Sequence, residues 1–462
     1  MRAILLIDIG STYTKVTAVD LDAPAVLGTA SAHTTVETDV CIGLDEALSA
    51  LETKTGPLVY SERLACSSAA GGLRMVASGL APSLTETAAR TSCLGAGAKV
   101  VRSFSYKLTA DDVAEIIALR PDILLLVGGT DGGNEAVILH NASLLAEAAP
   151  TFPIVLAGNR NAVPRCRELL AGLEVYMTEN VLPRLDQVNA EPVQAQIRTL
   201  FLQRIIQAKG LGEIAAEMSL PLIPTPSAVL LATKLLAGGT AGYPGIGELL
   251  AVDLGGATTD VYSMARGDPT VADTIVRGLP EPFAKRTVEG DIGMRYSACG
   301  ILDAAGVDWV AEHAGLDADT VQNLAAGFQE APDTLPDTPE LFSLDCALAA
   351  AAVRTAVTRH AGQVETAYTP QGPVFVQTGK DLTAVSHLVL TGGAIVHNPR
   401  ADEIASYALY DGLTPASLRP KRATVYVDRP YILASMGLLS QKYPIQALTL
   451  MKRSLIEHGT QE

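Results

Sequence analysis

The sequence of 462 residues predicts an α/β fold in which a strand–turn–strand unit occurs twice and a βαβ domain is inserted after the first copy. Two segments that begin at Asp8 and Asp253 share one residue pattern, and each follows a short apolar run. Residues 110–175 alternate between helical and strand periodicity, which is typical of a βαβ unit. A third apolar run, near residue 390, leads into a Gly-Gly turn.

The length and composition of the chain indicate how many structural units it forms and which partners it is expected to bind. The chain has 34 Lys and Arg against 50 Asp and Glu, a net charge of −16, with 48% hydrophobic residues. These values are typical of a globular protein of roughly three structural units. Nucleic acids and anionic membranes attract basic proteins, so we expect neither as a partner.

Cysteine usage and hydropathy indicate the compartment. The six cysteines form no CxxC pair and no Cys/His cluster, so we expect free thiols in a reducing environment. The apolar run at residues 3–7 ends at Asp8, which favours a buried strand over a signal peptide. No stretch reaches the roughly 20 apolar residues that span a bilayer. We therefore expect a soluble, cytoplasmic protein.

The repeated unit reads DIGSTYTKV at residues 8–16 and DLGGATTDV at residues 253–261. Both copies have Asp, an aliphatic residue and Gly, then Thr at the seventh position and Val at the ninth. Glycine lets backbone N–H groups approach an oxyanion, and neighbouring hydroxyls add donors, so the pattern suits a nucleotide phosphate. The candidate phosphate-binding residues are Gly10, Ser11, Thr12, Thr14, Lys15, Gly255, Gly256, Ala257, Thr258 and Thr259.

A carboxylate beside a phosphate requires a cation between them. Mg²⁺ suits that place because it keeps several waters and takes few carboxylates, so Asp8 and Asp253 are candidate magnesium and catalytic residues. Asp8 would act through a metal-bound water, and Asp253 would orient either the attacking water or a magnesium-bound one. Lys15 supplies a compensating charge, whereas the second copy has Asp260 there, either a distinct role or polar hairpin filling.

Either turn alone is more typical of an ordinary hairpin than of a phosphate site, and it is the match between them that favours function. The third motif, LVLTGGA at residues 388–394, supports that interpretation, because the backbone at Gly392, Gly393 and Ala394 is suited to pass close to a ribose or adenine. Asn398 and Pro399 then predict the start of a helix that continues to about Leu409.

Together these three motifs resemble the actin/Hsp70/sugar-kinase ATPase superfamily. The resemblance implies two duplicated actin-like (ribonuclease H-like) ATPase lobes that clamp ATP and Mg²⁺, with the third motif at the adenosine. Ala257 stands where many relatives have a further glycine, which leaves the backbone there less free.

Five further strings are similar to those of the glutamate mutase (methylaspartate mutase) accessory family, the mutase L component. They are GGTDGGN at 128–134, AGNRN at 157–161, TENVLP at 178–183, VNAEP at 188–192 and RTVEGDIGMR at 286–295. The resemblance implies a chaperone-like reactivating ATPase that binds the subunits of an adenosylcobalamin-dependent mutase, with glutamate mutase as the expected client. Damaged cobalamin would leave the partner and would not be a cofactor of this chain.

The predicted domain limits follow from these motifs. They are 1–80 for the first part of the first ATPase lobe, 81–180 for the inserted α/β domain, 181–245 for the helical remainder and connection, 246–430 for the second lobe, and 431–462 for a C-terminal helix packing on the first lobe. Residues 308–340 are polar and contain prolines, which predicts a surface excursion, and Asp345–His360 predicts an alanine-rich helix.

Several alternatives stay open from the sequence. A small-molecule kinase of the same fold would use Asp253 to deprotonate a substrate hydroxyl, and a nucleotide-dependent assembly protein would hydrolyse little ATP. Residues 128–133 are either a ligand loop or a tight connection, and residues 286–295 are either catalytic or an internal ion-pair network. Whether the chain is a monomer, a homodimer or one of two different subunits is also open.

Overall fold

The computed structural model describes residues 1–35, 38–68, 73–205, 210–370 and 372–461, so the predicted domain ranges include a few residues outside the described part. The strands, in chain order, are β1 (Ala3–Ile9), β2 (Tyr13–Asp20), β3 (Ala25–His33), β4 (Tyr60–Ser67), β5 (Arg74–Gly79), β6 (Lys99–Ser105), β7 (Ile123–Leu126), β8 (Ile154–Leu156), β9 (Val175–Met177), β10 (Ile223–Pro224), β11 (Gly239–Thr240), β12 (Tyr243–Pro244), β13 (Leu249–Leu254), β14 (Thr259–Met264), β15 (Thr274–Arg277), β16 (Ala284–Glu289), β17 (Gln363–Thr369), β18 (Gly372–Thr378), β19 (His387–Thr391), β20 (Ala423–Val427) and β21 (Ile456–Gln461). The α-helices are α1 (Val40–Thr55), α2 (Thr87–Gly95), α3 (Ala110–Leu119), α4 (Ala136–Ala148), α5 (Val163–Leu169), α6 (Ala190–Ile205), α7 (Leu211–Ala216), α8 (Thr225–Gly238), α9 (Ala298–Ala305), α10 (Val307–Ala314), α11 (Ala318–Glu330), α12 (Pro339–His360), α13 (Gly393–Val396), α14 (Ala401–Ser406), α15 (Leu433–Ser440) and α16 (Pro444–Ser454).

Two sheets share one topology, which confirms the duplicated ribonuclease H-like lobes. The first has the order β3-β2-β1-β4-β10, with β2 antiparallel to its neighbours and β4 and β10 parallel to β1. The second has the order β16-β14-β13-β19-β20, with the same directions and with β21 added at the edge. Each central strand, β1 and β13, is almost entirely apolar because helices cover both faces of its sheet.

The register of the repeated hairpins is identical. Asp8 lies opposite Lys15 in the first hairpin, and Asp253 lies opposite Asp260 in the second. Each turn is closed by the same hydrogen bond, from Gly10 N to Tyr13 O at 3.1 Å and from the equivalent Gly255 N to Thr258 O at 2.9 Å. The sequence repeat is therefore a structural repeat residue by residue.

The inserted domain is a parallel sheet of order β6-β5-β7-β8-β9. Its first strand, Arg74–Gly79, precedes residue 81, where the sequence placed the start of the domain. The predicted βαβ elements form: a capping box between Thr109 and Asp112 starts α3, and α4 lies between β7 and β8. All six cysteines lie in the described residues and are free thiols, as expected.

Residues 308–340, predicted to be a surface excursion, are instead mostly helical. They form α10, α11 and the start of α12, and their apolar positions, such as Val310, Val321 and Phe328, are buried in the second core. Pro339 was misleading because proline at the first turn of a helix starts it, with the Thr338 side chain accepting from Leu341 N. Within the described ranges, α12 has the length and hydropathy of a membrane span, but most of it is buried in this core.

The helix predicted from Asn398 to about Leu409 is also different. α13 ends at Val396 and α14 begins at Ala401, and the Asn398 side chain accepts a hydrogen bond from Arg400 N between them. Asn398 therefore caps the turn between two short helices.

Helices α8 and α15 follow the last strands, β10 and β20, of the two equivalent five-strand sets and pack against each other. A Cβ added to Gly437 would lie 1.8 Å from Ala228 O, so the two helix backbones are in direct contact there. Both helices belong to a core that also includes residues of β1 and β13. At the end of the chain, α15 and α16 are joined to the first lobe through Lys442 and Tyr443, which both bond Glu62.

Candidate functional site

The two repeated turns lie next to each other where the lobes meet. A Cβ added to Gly256 would lie 3.3 Å from the Thr12 Oγ1 atom. Residues 10–12 and 255–258 are all partly exposed there. The tertiary structure thus brings together two turns that the sequence separates by more than half the chain.

Asp8 lies at the end of β1 and is almost fully buried. Its Oδ2 atom pairs with Lys15 Nζ at 3.0 Å, and its Oδ1 atom accepts from Thr225 Oγ1 at 2.7 Å and from Cys66 Sγ at 3.4 Å. Both oxygens are occupied by protein donors, so this carboxylate is suited to reach a cation only through water.

Lys15 is held between a carboxylate and an aromatic ring. Besides its pair with Asp8, its Nζ atom lies 3.9 Å from the centroid of the Tyr431 ring. Burial lowers the pKa of Lys15, but the nearby Asp8, Tyr431 and Asp253 together raise it by more than burial lowers it. The pKa of Lys15 therefore lies well above its ordinary value. Lys15 is therefore a permanent positive charge, largely buried between Asp8 and Tyr431.

Asp253 is the carboxylate left open. It is partly exposed, and no hydrogen bond to its side chain forms among the residues that the structure describes. Loss of water around the carboxylate, together with the charges of Asp260, Asp8 and Asp428, raises the pKa of Asp253 from 3.8 to about 7, and Lys15 opposes this rise. A carboxylate that exchanges protons near neutral pH is suited to accept one from water.

Asp260 has a structural partner and is more than polar filling of the hairpin. Its Oδ1 atom pairs with Arg286 Nη2 at 2.6 Å, and both side chains are buried. Two other charged residues of the segment 286–295 also pair outside it: Arg295 with Asp345 at 2.7 Å and Glu289 with Arg359 at 2.6 Å. The internal ion-pair network suggested for this segment does not form among the described residues, and these three ion pairs join the segment to its surroundings instead.

The end of that segment holds the second turn in place. Met294 N donates to Gly255 O at 3.0 Å, and the next two amide groups donate to Gly256 O at 2.8 and 2.9 Å. A Cβ added to Gly293 would lie 2.3 Å from the carbonyl carbon of Ala257. The turn carbonyls are thus satisfied from behind, which leaves the opposite side of the turn to the cleft.

The candidate hydroxyls divide into two groups. Thr14 and Thr259 are buried within their own lobes, where Thr14 Oγ1 bonds the Thr34 hydroxyl at 3.0 Å and Thr259 Oγ1 donates to Ile292 O at 2.9 Å. Ser11, Thr12 and Thr258 remain at the turns and are partly exposed. The lobe interiors therefore use two of the five hydroxyls that the motifs offered.

In the third motif the two glycines differ. Gly392 has a φ of 104°, and a Cβ there would lie 2.2 Å from Leu254 O, so the close approach to β13 requires glycine. Gly393 is exposed, and a Cβ on it would meet no atom within 4 Å. Ala394 packs against the second core. Of the two glycines, Gly393 is the one whose backbone is exposed.

Sequence reasoning missed Asp428 and Tyr431, which come directly after β20. The Asp428 carboxylate is buried and accepts from Thr391 Oγ1 at 3.1 Å, Ile432 N at 3.1 Å and Leu433 N at 2.9 Å, which caps α15. Tyr431 adopts a φ of 55°, a strained conformation for a residue other than glycine. An Asp a few residues before an apolar helix was a readable capping signal, whereas the contact between Tyr431 and Lys15 had none.

The strings at 128–134, 157–161 and 178–183 meet at the carboxyl edge of the inserted sheet. Asp131 Oδ1 accepts from Asn180 Nδ2 at 2.8 Å and from Arg160 N at 3.0 Å. Asn159 Oδ1 accepts from Gly132 N at 3.2 Å, and its Nδ2 donates to Gly133 O at 3.2 Å. These residues hold one another in position, which explains the residue types without invoking a ligand.

The donor set fits magnesium and ATP in a limited way. No group of three or more His, Cys, Asp or Glu side chains suited to a metal occurs in the described part of the chain. Mg²⁺ commonly takes one or two carboxylates and completes its shell with water and substrate phosphates, which matches one open Asp253 beside Asp8. The two turns and Gly393 have exposed backbone, the type of group that can approach a phosphate or ribose closely.

Comparison with known proteins identifies the family. A family model described as "MutL protein" matches residues 4–455. "Protein MutL" of Clostridium tetanomorphum is 44% identical over 461 residues, which cover 99% of this chain and 100% of that protein. The chain belongs to the MutL family, that of glutamate mutase L. The family resemblance inferred from the strings is therefore confirmed.

Similar solved structures are distant from this MutL family chain. A diol dehydratase-reactivating factor in nucleotide-free form has 13% identity and a TM-score of 0.36, with coverage of 96% of this chain and 99% of that one. The activator of 2-hydroxyisocaproyl-CoA dehydratase from Clostridium difficile, with bound ADPNP, has 9% identity and a TM-score of 0.32, with coverage of 98% and 96%. At these TM-scores the fold assignment depends on the strand order and not on either likeness.

Proposed function

We propose that the protein is a Mg²⁺- and ATP-dependent accessory factor that binds an adenosylcobalamin-dependent mutase, with glutamate mutase as the expected client, and promotes release of damaged cobalamin from it. The observation that carries the nucleotide part is the pair of equivalent hairpins that face each other with one open carboxylate, Asp253. Membership of the MutL family, which is that of glutamate mutase L, supports the choice of client.

The phosphates would lie between the two turns. Backbone N–H groups there, with the hydroxyls of Ser11, Thr12 and Thr258, supply neutral donors, and Lys15 supplies the charge that an acidic protein otherwise lacks. Bound Mg²⁺ would neutralise phosphate charge. The exposed backbone at Gly393 would border the adenosine.

Asp253 would accept a proton from the attacking water or orient it. The high pKa of this carboxylate allows the proton to be taken up and released near pH 7. Asp8, already bonded by Lys15, Thr225 and Cys66, would hold metal-bound waters without replacing them. The two equivalent carboxylates thus take different roles because their partners differ.

The first experiment tests the nucleotide site. Isothermal calorimetry with Mg-ATP should detect binding to the wild type. Phosphate release should be lost in Asp253→Asn and retained in Asp319→Asn, which changes an exposed carboxylate on α11. Absence of Mg-ATP binding to the wild type would contradict the whole proposal, because each of its steps requires bound nucleotide.

The second experiment tests the client. Glutamate mutase inactivated by cobalamin that has lost its adenosyl group should regain activity with this protein, Mg-ATP and fresh adenosylcobalamin. Full rescue by Asp8→Ala would count against a nucleotide-driven cycle. Transfer of the γ-phosphate to a metabolite would identify a kinase instead, and rescue without phosphate release would identify an assembly factor. Sedimentation in the same buffers distinguishes a monomer from a homodimer.

A further inference from the structure

One buried arginine joins the second hairpin to the inserted domain. Arg286, on β16, is 5% exposed. Its guanidinium bonds Asp260 Oδ1 through Nε at 2.7 Å and Nη2 at 2.6 Å, and its Nη1 atom donates to Leu94 O at 3.0 Å and Ala98 O at 2.9 Å. Leu94 lies in the last turn of α2, where its carbonyl also accepts from Gly97 N at 3.0 Å and where the helix dipole favours a cation.

The segment 94–99 is connected on two further sides. Lys99 Nζ donates to Gly290 O at 2.7 Å, just before the residues that bond the second turn. On the side of the first lobe, Ser227 Oγ donates to Ala96 O at 3.0 Å. The segment 94–99 thus bonds both β16 of the second lobe and α8 of the first lobe. It also continues directly into β6, a strand of the inserted sheet.

We infer that Arg286 is a positioning residue that transmits the state of the second hairpin to α2 and the inserted domain. Asp260 lies opposite Asp253 and accepts from the Thr258 hydroxyl at 3.3 Å, so it is fixed to the turn itself. A planar guanidinium that bonds a carboxylate and two carbonyls cannot follow one partner and keep the others. A shift of the turn must therefore move the end of α2 or break a buried, charge-assisted bond.

This inference rests on the proposed nucleotide site and specifies which domain moves when the nucleotide binds. Arg286 lies on the edge strand β16 of the second lobe, and its bonds to Leu94 O and Ala98 O reach the segment that continues directly into β6 of the inserted sheet. The nucleotide-responsive surface would therefore be the inserted domain, and the partner protein would read the state of the nucleotide there.

Hydrogen exchange of the wild-type protein, with Mg-ATP and without nucleotide, tests the inference. We expect the exchange rates of amides in residues 87–105 to change by about fivefold or more on binding. Arg286→Lys keeps a charge beside Asp260 but lacks the fork, so it should lose this response while its Kd for Mg-ATP stays within roughly threefold. The matched control is Lys285→Met, on the same strand, because the partners of Lys285 among the described residues are Glu281 and His360 of the second lobe.

Two further variants protect the test from a folding defect. Asp260→Asn with Arg286→Met removes both buried charges together and should also uncouple the domain. Lys99→Met cuts the second connection, leaves the ion pair intact, and should reduce the response. If Mg-ATP binds the wild type and residues 87–105 do not respond, or respond equally in Arg286→Lys, the inference is wrong and the proposed function stands. If no nucleotide binds, both are wrong.

Discussion

Neutralising Asp253 should stabilise the folded protein while it abolishes phosphate release. The pKa of this carboxyl rises from 3.8 to about 7 on folding, which is about three powers of ten in proton affinity. Because each power of ten in proton affinity corresponds to about 1.36 kcal/mol, keeping Asp253 ionised at pH 8 lowers the free energy of unfolding by about 4 kcal/mol. Asparagine must still lose water, so we expect Asp253→Asn to recover about 2 kcal/mol.

The opposite hairpin residue supplies the matched control. Asp260 faces Asp253 directly, but it is paired with Arg286, so Asp260→Asn leaves a buried arginine short of its carboxylate. Breaking such a pair costs about 3–5 kcal/mol. At about 2 cal/mol/K of unfolding entropy per residue, a chain of this size should change its Tm by about 1 °C per kcal/mol. The two substitutions should therefore shift Tm in opposite directions.

Thermal unfolding at several pH values is the assay. The folded state keeps the Asp253 proton between about pH 4 and pH 7 while the unfolded chain has lost it, so wild-type stability should fall as the pH rises through that range. Asp253→Asn should lack that contribution. Saturating Mg-ATP should reverse the order, because ligand binding stabilises the wild type more. A lower Tm for Asp253→Asn at pH 8, without ligand, would refute the reasoning.

Three further predictions concern other parts of the molecule. Lys15→Met removes a charge that lowers the pKa of Asp253, so the pH midpoint of phosphate release should move to higher pH and the KM for Mg-ATP should rise about tenfold, as read from a pH–rate series. Burial lowers the pKa of Lys380 to about 7, so wild-type stability should rise from pH 7 to about pH 10, and urea unfolding of Lys380→Met should lack that slope. Gly437→Ala should cost about 2 kcal/mol or more, because its Cβ meets Ala228 O, whereas Gly238→Ala, with no atom within 4 Å, should be close to neutral in the same thermal assay.

Local elements were predictable where the signal is local. The βαβ elements within residues 110–175 and the two Asp-aliphatic-Gly turns form as expected, because side chains a few residues apart determine them. The prediction of a surface excursion at residues 308–340 was wrong because prolines and charges on the exposed faces masked a helical pattern of buried positions. The strand Arg74–Gly79 was placed outside the inserted domain because sheet membership depends on distant pairing.

Sequence alone determined the two hairpins, their equivalence and the family, since glycine turns, strand periodicity and long motif strings are local properties. Tertiary structure decided which carboxylate is open. Asp8 is closed by Thr225, 217 residues away, and Asp260 by Arg286 from another strand, whereas Asp253 has no such partner among the described residues. The physical reason is that the pKa and availability of a carboxylate depend on neighbours that only folding brings within hydrogen-bond distance.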